Sequence, residues 1–194
     1  MMSRRGRIII VAGPSGAGKG TIEKAIMKKY SDIQFSVSVT TRPRRDYEID
    51  GQHYFFISKD DFLNKIRRDE LVEWQEVYSK NGHLYGTLRS YIDQALDQGK
   101  ILLLDIDIKG GLNVKKEYPE LSVSIFIEPP SLDDLEQRLI ARGTDNPEQI
   151  KIRLERAGEE MSLGQLFDYK VVNANLSDAV EDFSEILKQT IYHE

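Results

Sequence analysis

The stretch Gly13-Pro14-Ser15-Gly16-Ala17-Gly18-Lys19-Gly20-Thr21 holds the densest set of residues able to handle phosphate. It follows a β-branched apolar run at 7–12 and opens a segment with helical spacing at 21–30. In that setting the glycines let backbone N–H groups converge on phosphate oxygens without Cβ clashes. The N-terminus of the following helix adds partial positive charge, and Lys19 supplies a mobile cation for β- and γ-phosphates. An ordinary glycine-rich turn has no need of the lysine. The residue directly after the lysine, whose hydroxyl usually touches Mg²⁺, is Gly20 here, with Thr21 one place later. Mg²⁺ is therefore expected to be held mainly through water and a carboxylate. No G-x-G-x-x-G is present, so a dinucleotide fingerprint is excluded.

Carboxylates stand where such a metal would need them. Asp105 and Asp107 close the apolar run 101–104. An acid at the C-terminal edge of a parallel strand faces the ligand crevice, the place for a group that organises Mg²⁺. Two basic clusters complete the set. Arg42, Arg44 and Arg45 fall within four residues, followed by Tyr54. Arg138, Arg142, Lys151, Arg153 and Arg156 surround Gly143-Thr144-Asp145-Asn146-Pro147. Lys151 and Arg156 read as a solvated face. The rest suit phosphoryl transfer, which needs a clamp on the acceptor's phosphate and cations over the transferring group. The Gly-Thr-Asp-Asn-Pro stretch suits the hinge of a moving lid.

The elements that must position these groups alternate between strand and helix. Strand patterns occupy 7–12, 35–39, 54–57, 71–77, 100–106, 122–127 and 170–173; helical patterns occupy 21–30, 58–68, 90–98, 131–141, 147–161 and 176–191. Ser58 reads as an N-cap, Gly99 as a helix stop, and Ser131 with Asp134 as a capping box. Buried strands interleaved with helices imply an α/β fold, a parallel sheet with helices on both faces. The half-exposed strands between about 35 and 86 should project as a subdomain.

Composition removes whole classes of chemistry. The 194 residues include no cysteine, which excludes disulfides, Cys-ligated zinc, iron–sulfur clusters and thiol catalysis. His53, His83 and His193 show no metal-ligand spacing. A net charge of −5 argues against a general nucleic-acid binder. The apolar runs are far shorter than a membrane span of ~20 residues, and too short for a secretory leader. A cytoplasmic protein with no nucleic-acid or membrane partner is expected, its oligomeric state left open.

Assembled, these residues resemble the guanylate kinases from Ile8 to Asn173. The lysine loop is similar to the family's P-loop. Ser36-Val37-Ser38-Val39-Thr40-Thr41-Arg42-Pro43-Arg44, continued by Gly51-Gln52-His53-Tyr54, is similar to its acceptor signature. Glu73-Trp74, Tyr85-Gly86-Thr87, Asp105-Ile106-Asp107-Ile108-Lys109-Gly110 and Arg138-Leu139-Ile140-Ala141-Arg142-Gly143 follow in family order. The resemblance implies a single domain of P-loop NTPase type. Its core would be 1–34, 88–137 and 169–194, with a mixed α/β GMP-binding subdomain at 35–87 and a helical lid at 138–168. It implies Mg²⁺-dependent phosphorylation of GMP by ATP. Gly13 to Thr21 would hold ATP phosphates, and Asn173 would lie near the adenine. Arg42, Arg45, Tyr54 and Tyr85 would hold the GMP phosphate; Ser38, Glu73 and Thr87 would read the guanine. Asp105 would lie near the acceptor and Mg²⁺, binding the metal directly or through water. Lys19, Arg42, Arg138, Arg142 and Arg153 would act on the transferring phosphoryl. Residue types alone leave Glu73 open to an exposed edge-strand role, and both tyrosines open to ordinary packing. The segment 74–84 is longer than is common in the family, with Asn81-Gly82 reading as a hairpin tip.

Two rivals bear on the same residues. A kinase of a ribose bisphosphate would keep the loop but have no use for a guanine-reading carboxylate. A guanylate-kinase-like interaction module would have no use for Lys19.

Overall fold

A computed structural model describes residues 5–77, 82–143 and 145–192. The apolar runs form a five-stranded, all-parallel sheet around β1 (Arg7–Ala12). Beside it lie β7 (Ile101–Asp105) and β8 (Ser122–Glu128); β2 (Ile33–Phe35) and β9 (Tyr169–Val172) form the edges, giving the order β2-β7-β1-β8-β9. Period-two alternation sends β1 side chains to two cores. Ile9 and Val11 pack with Ile22 and Ile26 of α1 (Lys19–Lys29) and Phe183 of α7 (Leu176–Thr190). Ile8 and Ile10 pack with Ile92 of α3 (Arg89–Asp97) and Val114 of α4 (Ile108–Glu117). Each fully buried aliphatic side chain contributes about 1.5–3 kcal/mol. The Val11–Asp105 register puts the end of β7 beside the start of the glycine loop.

A second, four-stranded mixed sheet has the order β4-β3-β6-β5: β4 (Phe55–Phe56), β3 (Val39–Thr40), β6 (His83–Leu88) and β5 (Leu71–Val77). Phe62 of α2 (Lys59–Arg67) packs there with Val39, Leu71 and Leu84. Gly86 lets strand and helix meet, since a Cβ would sit 3.1 Å from the Phe62 ring and 2.8 Å from the Glu73 carbonyl oxygen. Two further helices, α5 (Leu132–Arg142) and α6 (Pro147–Leu163), close on Leu135, Leu139, Ile150 and Ala157. Among the described residues no helix is long and apolar enough to cross a membrane.

Most elements fall within two residues of the spacing-based reading. Four details differ. The strand expected at 35–39 is two strands of different sheets: Ser36 still donates to the Leu103 carbonyl, and Val39 already pairs in the second sheet. Alternation continues across the crossover, so the pattern cannot reveal the change of partner. Helix α4 went unread because Gly110-Gly111 lowers its propensity; Asp107 rescues it as N-cap, accepting from the Gly110 N–H at 2.6 Å. Strand β6 was seen only as a motif. At Ser131 the hydroxyl accepts from the Asp134 N–H at 3.0 Å, but the Asp134 carboxylate returns to that hydroxyl, being too short for the backbone. The reciprocal capping box occurs instead at Asn146 and Gln149. Gly99, at φ +72°, does stop α3. Of the expected hairpin tip, Asn81 lies outside the described residues.

Candidate active site

The glycine loop joins β1 to α1 through three residues at positive φ: Gly13 (+150°), Gly16 (+98°) and Gly18 (+95°). A side chain could not follow this path. A Cβ on Gly13 would meet the Ile127 carbonyl oxygen at 2.0 Å, and one on Gly18 would meet Asn173 Nδ2 at 2.3 Å. Asn173 braces the loop from behind, donating from Nδ2 to the Ala17 carbonyl at 2.7 Å. One of its two side-chain amide N–H groups is thus committed to the loop backbone. Lys19 Nζ donates to the Gly13 carbonyl at 2.7 Å, poised across the cradle. Pro14 and Ala17 are buried, whereas Ser15, Gly20 and Thr21 are exposed.

One arginine from each of α5 and α6 reaches this region. Arg138 Nη2 donates to the Asn173 carbonyl at 2.7 Å. Arg153 Nη1 donates to Ser15 Oγ at 2.5 Å, and its other nitrogen pairs with Asp145 at 3.1 Å. Arg142 is exposed at the end of α5, just before Gly143 at φ +67°.

Asp105 is open to solvent at the end of β7. Lost hydration from the surrounding protein pushes its carboxyl above the usual range, and Lys19 pulls it back. Asp107 is spent as the cap of α4. Residue-type reasoning passed over Glu23, one helical turn after Lys19 on α1. It is buried, its Oε1 has no hydrogen-bond partner, and its carboxyl is pushed up to about 8 by burial first, then by Asp105, with Lys19 opposing. Its i+4 spacing from Lys19 was the available signal. Among the described residues no group of three or more His, Cys, Asp or Glu could enclose a metal unaided.

A second group of the expected site residues lies on the second sheet. Arg42 forms a two-pronged pair with Glu48, at 3.0 Å and 2.7 Å, and donates from Nε to the Tyr85 hydroxyl at 3.2 Å. Its guanidinium lies 5.4 Å from the centre of the Tyr54 ring and 5.7 Å from that of Phe56. The structure therefore gathers Arg42, Tyr54 and Tyr85. Arg45 is exposed and bonded to the Tyr47 hydroxyl at 2.8 Å. Glu48, another residue the sequence reading missed, also accepts from the Arg45 N–H at 2.8 Å. Hydrogen bonds from Arg42 hold its carboxyl down to about 2.

Glu73 sits on edge strand β5 yet is buried, because α4 covers that edge. A bulge between Leu71 and Glu73 sets its register opposite Thr87, whose hydroxyl donates to Glu73 Oε1 at 2.6 Å. Gly110 of α4 makes room: a Cβ there would be 2.8 Å from Glu73 Oε2 and 3.1 Å from Asp107 Oδ1. Burial pushes the Glu73 carboxyl up to about 7 against the Thr87 hydrogen bond, with the nearby charge of Asp107 adding to the rise. Ser38, half-buried, lies in the crossover that enters this sheet, and its carbonyl accepts from the Phe55 N–H. Helix α4 thus links the buried Glu73 carboxylate to the strand end that carries Asp105.

This arrangement has close relatives. The guanylate kinase family model matches residues 5–190. Guanylate kinase of Thermotoga maritima is 46% identical, across 95% of this chain and 87% of that one. Guanylate kinase of Symbiobacterium thermophilum is 45% identical, across 94% and 85%. The crystal structure of guanylate kinase from Anaplasma phagocytophilum superposes with a TM-score of 0.74 at 31% identity, covering 98% of this chain and 89% of that one. With the glycine cradle on one side and a buried carboxylate on the other, the chain belongs to the guanylate kinase family.

Proposed function

We propose that this chain transfers the γ-phosphoryl group of ATP to GMP, giving ADP and GDP, with dGMP as an alternative acceptor. The observation that carries the guanine assignment is Glu73, a buried carboxylate with Thr87 as its hydrogen-bonded neighbour. Guanine presents N1–H and the 2-amino group side by side as donors, and one ionised carboxylate accepts both. Adenine lacks that pair and would leave a buried acceptor unsatisfied, which sites of this kind reject by about 10⁴-fold or more.

Ser38 joins Glu73 and Thr87 at the base, and Arg42, Arg45, Tyr54 and Tyr85 take the GMP phosphate. The cradle Gly13–Thr21 takes the ATP phosphates, with Asn173 bracing it on the adenine side. Lys19, Arg138, Arg142 and Arg153 neutralise the transferring group, α5 and α6 acting as the lid. The acceptor oxygen needs no general base, since a phosphate monoester with its second pKa near ~6 is already ionised at pH 7. The work left to the protein is alignment of two anions, neutralisation and exclusion of water.

The donor set fits Mg²⁺, which favours one or two carboxylates plus phosphate oxygens and waters. Asp105, solvent-open beside the cradle, would hold it directly or through water. Bound there, the ion would neutralise phosphate charge.

An ADP-release assay with ATP and Mg²⁺ tests the assignment across GMP, dGMP, AMP, UMP, IMP and ribose 1,5-bisphosphate. Turnover with GMP and dGMP, and none with AMP or UMP, is expected. Turnover with the ribose bisphosphate alone would keep the cradle and discard the reading of Glu73.

A further inference from the structure

We infer that Glu23 is a second protein ligand of the divalent cation, supplying with Asp105 the oxygen that Gly20 cannot. This rests on the reading of Asp105 as the metal-side carboxylate. Gly20 carries no hydroxyl, and a Cβ built there would touch nothing within 4 Å. Of the loop's two hydroxyls, Thr21 is exposed and follows Lys19 by a residue too many, and Ser15 accepts from Arg153.

Glu23 lies one turn further along α1 from Lys19 and so shares its face. It is only 4% exposed, and its Oε1 makes no hydrogen bond. A buried carboxylate oxygen without a partner costs stability, and the neighbours Ile22 and Ile26 show what folding alone asks of this helix. Glu23 is also near enough to Asp105 and Lys19 for both charges to act on it. Lys19 does not resolve the crowding of the two acids. It is bonded to the Gly13 carbonyl, and its role in catalysis turns it toward phosphate. Two acidic side chains converging beside a phosphate cradle, one of them with an oxygen left unbonded, form a donor set that a hard divalent cation completes.

Mn²⁺, followed by its free-ion electron paramagnetic resonance signal, is titrated into the protein saturated with a β,γ-imido analogue of ATP. Wild type is compared with Glu23→Gln, Glu23→Leu and Asp105→Asn. Expected is a loss of Mn²⁺ affinity of about 10–100-fold in each variant. Analogue binding in the presence of chelator should stay unchanged for both Glu23 variants, and Glu23→Leu should melt higher than wild type when no nucleotide is bound. If Glu23→Leu does not fold, Glu23→Gln alone carries the test. Wild-type Mn²⁺ affinity in the Glu23 variants, with loss only in Asp105→Asn, overturns the inference and leaves the metal reading of Asp105 standing. Wild-type affinity in all three overturns both. Loss of analogue binding in chelator also overturns it, since Glu23 would then be shaping the loop itself.

Discussion

On the proposed reading, the two halves of the site solve the same problem, holding a phosphate, by different means. The ATP half is made of main chain. Its shape comes from glycines at positive φ and from Asn173 pinning the Ala17 carbonyl, and the loop's own cation, Lys19, rests against a carbonyl. The GMP half is made of side chains. Its central cation, Arg42, is gripped by the buried carboxylate of Glu48 and flanked by Tyr85, Tyr54 and Phe56. A backbone cradle needs only a local conformation. A side-chain site needs every group held by another, and each of those partners becomes part of the specificity.

The difference is sharpest in what single substitutions should do. Lys19→Ala removes charge from the transferring group while the backbone cradle persists. Its kcat should fall about a thousandfold with little change in melting temperature, judged by steady-state rates and thermal denaturation. Near-normal kcat would break the assignment of the cradle. Arg42→Ala should behave differently. It should cut kcat/KM for GMP by about 100-fold with little effect on KM for ATP, and should also lower the melting temperature. The stability loss arises because Glu48 is left buried without its ion-pair partner. An equal effect on both substrates would mean that Arg42 serves the fold alone.

That contrast also explains what could be read from sequence. Residues 13–21 form the cradle as one contiguous run, so type and order revealed it. Arg42, Tyr54, Tyr85 and Glu73 come from strands and loops that meet only in the folded sheet, and family resemblance had to supply what spacing could not. The burial of Glu73 depends on α4, a helix hidden by Gly110-Gly111. Glu48 and Glu23 were passed over because acidic residues in charged stretches read as solvated. Their burial is created by what packs over them.

Gly110→Ala probes that hidden dependence. As a helix residue alanine should be better than glycine by about 0.5–1 kcal/mol. Here its Cβ would press on Glu73 Oε2 at 2.8 Å, so the carboxylate must shift. KM for GMP should rise about tenfold, KM for ATP should hold, and stability should change little. The corresponding crowding at Gly18 would meet Asn173 in the other half and should affect ATP first.

The smallest effect separates the halves by pH. Glu73 titrates near 4.5 when unfolded and is pushed up to about 7 when folded, chiefly by burial. Between those values the native chain keeps a proton that the unfolded chain has lost, so stability falls as pH rises and the loss is complete above about 7. At ~1.36 kcal/mol per pH unit the gap amounts to about 3 kcal/mol. Glu73→Gln removes this dependence. Its melting temperature should differ little from wild type at pH 5 and exceed it by several degrees at pH 8, while its KM for GMP is raised at both. Glu23, raised in the same direction, is present in both proteins and cancels in the difference. A difference that stays flat from pH 5 to 8 would show that Glu73 is ionised throughout. Its site would then be as wet as the mouth of the cradle, and the contrast between a backbone half and a buried side-chain half would no longer rest on burial.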